Sequence, residues 1–311
     1  MDGLWGGWDL TRIRPGWRNR LEFAAYRAMR SLAAASGPRL LGRLGEWLGL
    51  LYRGLGRRRR EILRFNLELA FPDLGETRRR DLARRVARHF GRVSLDALRL
   101  QRLTPEELRR EALVEGESHL REALARDRGV FVLSAHIGSW EVAALMAGLL
   151  LPDGLAVVNR PLDNPLLEAE LADFRSLFGN HALGKMKIMR AMLPRLKKGG
   201  AVGILIDQRT LQHEGVQVPF FAQPAWTHPG LARLSLRLSV PIVPLWGLWE
   251  GPGRYLVRFD PPLYPEELEE HEREEVALTA RLTGLIEAVI RERPEQWLWY
   301  HDRWRDLRHG G

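Results

Sequence analysis

The chain has 311 residues, a formal charge of +9, 45% hydrophobic residues and no cysteine. That length buries a real core in one large domain or two modest ones, and the hydrophobic fraction with 11 tryptophans excludes a disordered chain. Without cysteine there is no disulfide framework, no thiol nucleophile and no Cys-based zinc site. Nearly all the basic charge is arginine, the only lysines being Lys185, Lys187, Lys197 and Lys198. The planar guanidinium fork suits anionic partners: phospholipid, a phosphorylated substrate, nucleic acid or an acidic carrier protein. A coding bias or surface ion pairing would give the same composition. No stretch offers the roughly 20 consecutive apolar residues of a membrane-spanning helix. The best candidate, Leu21 to Leu55, is interrupted by Glu22, Arg27, Arg30, Arg39, Arg43, Glu46 and Arg53, and Val142 to Leu151 is too short. No signal-peptide pattern stands out, so the expectation is a chain kept in the cytoplasm.

Residues 1–110 read as helical and basic, with a soft boundary at their end. Trp5, Trp8 and Trp17 precede Leu21, Ala24, Ala25 and Leu32 at near-helical spacing, and Leu40 to Leu55 continue it after a break at Gly37-Pro38. Such a pair, with tryptophans on one side and arginines on the other, can lie in a bilayer interface or pack as an ordinary surface pair. The run Arg57–Arg60 favours the bilayer, since each charge gains roughly 1 kcal/mol at an anionic leaflet. After Phe71-Pro72-Asp73 comes another arginine-faced helix carrying Arg78–Arg80, Arg84, Arg85, Arg88 and Arg92. From 111 to 311 strands and helices alternate, predicting an α/β domain with a central mixed sheet flanked by helices. Strands are predicted at 129–135, 155–159, 201–206, 241–248 and 255–259. Helices are predicted near 139–151, 164–178, 188–198, 229–238 and 266–293.

The strand 129–135 runs into His136-Ile-Gly-Ser-Trp-Glu141 and then an apolar helix that starts near Ser139, a good N-cap residue. A histidine there stands at the C-terminal edge of the sheet, where open α/β sheets place ligands. Five residues on a regular helix turn about 140° around its axis. His136 and Glu141 therefore meet only if His136 precedes the helix and its ring folds back. Spacing alone is cheap: 9 histidines and 39 acidic residues give about one chance His-x4-acid match. His301 and Asp306 share the spacing, but no strand precedes them, so they are discounted as a catalytic pair.

The landmarks Asn66-Leu67 to Asp73, Ala135 to Glu141, Arg160-Pro-Leu-Asp-Asn-Pro165, Arg190 to Gly200, Asp207-Gln208, Gly215 to Phe221 and Pro294 to Trp304 occur in a shared order. In that order the chain resembles the bacterial lipid A biosynthesis acyltransferases, a branch of the lysophospholipid and glycerol-phosphate acyltransferases, over roughly residues 20–305. The resemblance implies an acyltransferase-like fold. His136 would be the general base that takes a proton from an acceptor hydroxyl as it attacks an acyl thioester. Glu141 would hold the imidazole in the right tautomer, and backbone N–H groups near Gly138, Ser139 and Trp140 would bind the oxyanion. Arg160, Arg190, Asp207, Gln208 and Arg209 are the substrate-binding candidates. Lys185 and Lys187 accompany Arg190, and Asp207 positions the acceptor or assists His136. Val216–Phe221 and Trp226 either line an acyl pocket or belong to the core, and Trp297, Trp299, Tyr300 and Trp304 pack on the domain or lie at the membrane.

The expected partners are a phospholipid surface, an acyl carrier protein or coenzyme A thioester as donor, and a glycolipid acceptor. No cofactor, metal or nucleic acid is expected. The expected place is the cytoplasmic face of the plasma (inner) membrane, held peripherally or monotopically, because the clean N-terminal apolar anchor of many relatives is missing. Rival readings are a non-catalytic basic membrane-binding protein and an acyltransferase acting on phosphatidylinositol mannoside or lysophospholipid. A serine hydrolase is disfavoured, since Gly138-Ser-Trp-Glu-Val lacks the Gly-x-Ser-x-Gly elbow.

Overall fold

The computed structural model describes residues 16–158, 162–183 and 188–308, of which 188–190 by backbone alone. Its first part is helical: α1 (Trp17–Ala35), α2 (Pro38–Leu55), α3 (Arg57–Ala70), α4 (Glu76–Leu100) and α5 (Pro105–Glu111). Pro38 opens α2 at a position where a missing N–H costs nothing. Helix α3 begins with Arg57–Arg60, charges that oppose the helix dipole at that end. Burial of Ile62, Leu63 and Leu67 offsets this, so packing rather than local preference makes the helix.

Helix α2 packs on α4 through its small face. A Cβ on Gly45 or Gly49 would collide with the backbone of Ala87, Gly91 or Arg92, so glycine permits this approach. The opposite face leaves Leu40, Leu44, Trp47, Leu48, Leu51 and Leu55 exposed. An apolar stripe facing outward on a helix that is already packed is an interaction surface.

The rest alternates strands and helices, as β1 (Ala112–Glu115), α6 (Glu117–Leu124), β2 (Val130–Ser134), α7 (Trp140–Leu150), β3 (Leu155–Val158), α8 (Pro165–Ser176), β4 (His181–Leu183) and α9 (Ile188–Lys197). Then come β5 (Ala201–Leu205), β6 (Val216–Phe220), β7 (Gln223–Thr227), α10 (Gly230–Leu238), β8 (Ile242–Gly251), β9 (Arg254–Phe259), α11 (Glu275–Glu292) and α12 (Arg305–Arg308). Seven strands form one mixed sheet in the order β1-β9-β8-β2-β5-β3-β4, and β6 pairs with β7 as a separate hairpin. Strands β8, β2, β5, β3 and β4 are parallel, while β9 runs antiparallel to β8 and parallel to β1.

Parallel strands covered on both faces need continuous apolar runs, and every residue of β2 is buried. Phe131 and Leu133 join Leu63, Leu67, Val86 and Trp246 on one face. Val130 and Val132 join Val142, Leu145, Val243 and Tyr255 on the other. Helices α3 and α4 thus contribute to the same apolar layer as the sheet. The predicted long helix at 266–293 is shorter than its charge pattern suggests: α11 starts at Glu275 after two 3-10 turns. Beyond α11, residues 294–304 form an aromatic strap. It crosses the ends of β2 and β5, with Ile137 bridged antiparallel to Trp297.

Candidate active site

Sheet register assembles the site. Ser134 of β2 lies opposite Leu205 of β5, and two residues beyond each stand His136 and Asp207. Both project from the carboxyl ends of adjacent parallel strands, where such sheets bind ligands. His136 Nδ1 lies 2.9 Å from Asp207 Oδ1. The His136 backbone N–H donates to Asp207 Oδ2 at 3.0 Å, and the Trp297 indole N–H donates to the same oxygen at 2.9 Å. Asp207 can only accept, so Nδ1 carries the proton and Nε2 keeps a free lone pair. His136 exposes 22% of its side chain and Asp207 only 1%, so the imidazole is reachable and its carboxylate is not.

Burial pushes the Asp207 carboxyl up, but the His136 ring, the Trp297 indole and the His136 amide outweigh it and hold it at about 2. Burial pushes the His136 imidazole down. The Asp207 charge and hydrogen bond, with a smaller contribution from Glu141, raise it above the ordinary histidine value.

The turn that carries His136 is pinned by backbone bonds from distant segments. The Gly138 N–H donates to Gln296 O at 2.9 Å and the Ser139 N–H to Gly247 O at 2.6 Å. Leu298 N–H donates to His136 O at 3.0 Å. Gly138 has φ +56, and a Cβ there would meet the Gly247 carbonyl, so position and space both require glycine. The buried His89 of α4 has its imidazole lowered to about 3, by burial first and then by the Arg92 charge.

These bonds correct two expectations. The Gly138 and Ser139 N–H groups, expected to bind an oxyanion, are already bonded to carbonyls. Ser139 does occupy the N-cap of α7, yet its side chain makes no capping bond. Glu141 is not the hydrogen-bonded partner of His136 either. Its carboxylate pairs with Arg175 of α8, Oε1 lying 2.8 Å from Nη2. The His136 ring does precede the helix, as the spacing requires, but it turns to Asp207 and packs edge-on against Trp140, centroids 5.3 Å apart.

Gln208 Nε2 lies 3.3 Å from His136 Nε2, the one substrate-binding candidate among the described residues within hydrogen-bond distance of that nitrogen. Arg209 is occupied: its guanidinium forms a bidentate pair with Asp306 at 2.9 Å, and its backbone N–H donates to His301 Nε2. Arg160, Lys185 and Lys187 lie outside the described residues, as does the side chain of Arg190. Among the described residues no group of three His, Asp or Glu side chains is placed to hold a metal ion. Val218, Phe220 and Phe221 are buried, and Phe220 packs on Trp297 and Trp304.

The strap supplies what local reading missed. Trp297 orients Asp207, Leu298 holds His136, Gln296 holds Gly138, and Arg303 binds the Gln208 carbonyl at 2.9 Å. Its aromatic richness reads as core packing, and no spacing rule links residue 297 to residue 207. The only available signal was polar capacity, since a buried indole N–H or guanidinium must find an acceptor.

The family model for bacterial lipid A biosynthesis acyltransferase matches residues 18–306. A lipid A biosynthesis lauroyltransferase of Escherichia coli is 32% identical over 270 residues, 85% of this chain and 84% of the relative. A lipid A biosynthesis acyltransferase of Haemophilus influenzae is 28% identical over 273 residues, 86% and 84%. A phosphatidylinositol mannoside acyltransferase of Mycolicibacterium smegmatis is 25% identical over 309 residues, 97% and 90%. With the match spanning nearly the whole chain and including the His136 turn and the strap, this protein belongs to the bacterial lipid A biosynthesis acyltransferase family and is an acyltransferase.

Proposed function

We propose that this chain is a membrane-associated O-acyltransferase that moves a fatty acyl chain from a thioester of acyl carrier protein or coenzyme A to a hydroxyl of a lipid A-type glycolipid. The observation that carries this is the His136–Asp207 pair, with Nδ1–H fixed on a buried carboxylate and Nε2 turned outward. An alcohol is too weak an acid to ionise at neutral pH, and a positioned base contributes about 10²–10⁴-fold. His136 Nε2 takes the hydroxyl proton as the oxygen attacks the thioester carbon. Asp207 stabilises the imidazolium and keeps the ring in place, a role the sequence pattern gave to Glu141. Glu141, itself paired with Arg175, flanks the site, and its carboxylate makes a small contribution to raising the proton affinity of the ring.

Membrane association is supported by the exposed apolar face of α2 beside the cationic start of α3. Among the described residues no helix is long and apolar enough to cross a membrane, so the binding we propose is peripheral, at the cytoplasmic face of the inner membrane. A phosphatidylinositol mannoside-type acceptor is the second reading, favoured by the relative aligned over 309 residues. Lipid mass spectrometry of a deletion strain separates them. The species that lacks one acyl chain identifies the acceptor, and the missing mass identifies the donor chain. Complementation by the wild type but not by H136A is expected. An unchanged lipid profile in the deletion strain would sink the proposal.

A further inference from the structure

Two of the three amides expected to stabilise an oxyanion, those of Gly138 and Ser139 but not Trp140, are spent on the carbonyls of Gln296 and Gly247. With those two amides engaged, a side-chain donor beside the histidine would share the negative charge that develops on the thioester oxygen with the amides of the first turn of α7. One side-chain donor meets the reacting nitrogen directly: Gln208 Nε2, 3.3 Å from His136 Nε2. We propose that the Gln208 side-chain amide is a hydrogen-bond donor to this oxyanion, and that the buried Arg303 of the strap is the residue that positions it. This rests on the acyl-transfer reading above.

The geometry suits the step. Before the acceptor arrives, the amide N–H caps the lone pair of Nε2. The hydroxyl replaces it there, gives its proton to Nε2, and its oxygen bonds to the thioester carbon. The carbonyl π pair moves onto the carbonyl oxygen, which sits on the carbon just attacked, so a donor beside Nε2 reaches it. When the intermediate collapses, the C–S bond breaks and the departing thiolate takes the proton from Nε2. Proton and electrons balance without another reagent.

Arg303 explains why Gln208 stays at this point although its side chain is exposed. Arg303 is 1% exposed. It donates from Nη1 to Gln208 O at 2.9 Å and to Trp226 O at 2.7 Å, and from Nη2 to Thr227 Oγ1 at 2.5 Å. Its guanidinium also lies 5.2 Å from the Phe220 ring. All three acceptors are neutral, and Nε has no partner, an expensive state for a buried cation. A structural bridge between the strap and the β6–β7 hairpin needs no charge. A charge placed here fixes the Gln208 backbone and faces the field of Asp207, which opposes the loss of the guanidinium proton that burial favours.

The test measures transfer from lauroyl, myristoyl and palmitoyl thioesters of acyl carrier protein to a lipid extract of the deletion strain. Variants are Q208A, R303K, R303Q and R303Q/Q208A, with wild type and H136A alongside. Q208A is expected to lower kcat about 10²-fold, the loss of one oxyanion donor, with both KM values and the pH profile held. R303Q is expected to lower kcat in the wild-type background and to add nothing once Gln208 is gone. R303K, which keeps the charge, should recover part of that loss. Should R303Q fail to fold, Q208A alone decides. A kcat near wild type in Q208A would overturn the proposal and hand the oxyanion to the free amides of the first turn of α7. Equal losses from R303Q in both backgrounds would overturn the role of Arg303. Absence of transfer by the wild type would instead strike at the acyl-transfer reading, and the role of Gln208 would fall with it.

Discussion

Residues 136–141 and 301–306 carry the same spacing of histidine and acid and serve opposite ends. In neither segment does the acid bind its own histidine: Glu141 pairs with Arg175, and Asp306 pairs with Arg209. The His136 ring instead receives the carboxylate of Asp207, which raises its proton affinity and leaves Nε2 to face outward. His301 Nε2 receives a backbone N–H from Arg209, and burial lowers that imidazole to about 4. One histidine is the base proposed above, and the other is a neutral acceptor that ties the strap to the loop after β5. What separates them is the partner that the sheet register delivers, and spacing along the chain carries no part of that.

The largest effect should come from His136. H136A is expected to lose about 10²–10⁴-fold in transfer while vesicle binding persists, as measured by product formation and lipid co-sedimentation. Near-wild-type transfer by this variant would erase the distinction between the two histidines. Next comes D207N, expected to cost on the order of 10³-fold by loosening the imidazole and stripping its counter-charge. Its pH profile adds a sign. The proposed mechanism needs neutral His136, and Asp207 raises the pH at which the ring loses its proton. The acid limb of kcat/KM should therefore move to lower pH in D207N, and a limb that stays put would break the assignment.

E141Q should lose less than D207N and shift that limb by less, because Glu141 acts on the ring only through space. A loss equal to that of D207N would restore Glu141 as the partner during turnover. The smallest effect on transfer belongs to His301, where stability is the better readout. Its folded value of about 4 lies below the ordinary 6.5, so the unfolded chain binds the proton first as pH falls. The stabilisation is complete above about 6.5 and is lost as pH drops towards 4. H301Q should flatten the dependence of Tm on pH across that window, measured by thermal melts. A wild-type Tm that does not fall over this range would show His301 to be accessible to protons.

Much of the site was legible before folding. The run Val130–Ser134 is apolar enough to announce a buried strand, and its end places His136 at the catalytic edge. Asp207 was legible in the same way after β5, as a residue at that edge, but its bond to His136 was not. That bond depends on Ser134 standing opposite Leu205, a pairing between residues 71 apart whose neighbours in sequence say nothing of it. The Gly138 and Ser139 amides looked free for the same reason, since their acceptors Gln296 and Gly247 lie far along the chain. β1 and β4 escaped notice because both are short strands at the sheet's two edges, largely uncovered, without the apolar run of β2 or β3. The outward face of α2 is the reverse case. Its leucines would ordinarily point to a core, and only the contact of Gly45 and Gly49 with α4 shows which side is covered.

By itself the sequence determined the class of chemistry: no thiol, an arginine-dominated surface, a histidine at the end of a buried strand, and landmarks in the order of an acyltransferase family. Those properties live in residue types and short windows, where side-chain chemistry and hydrophobic period act locally. The tertiary structure decided who partners whom. Asp207 rather than Glu141 holds His136, and the strap's Trp297 and Arg303 hold Asp207 and Gln208. Hydrogen bonds are short and directional, so they report which atoms folding brings within about 3 Å. That distance is set by strand register and by the return path of the chain, and neither is written in any local stretch of it.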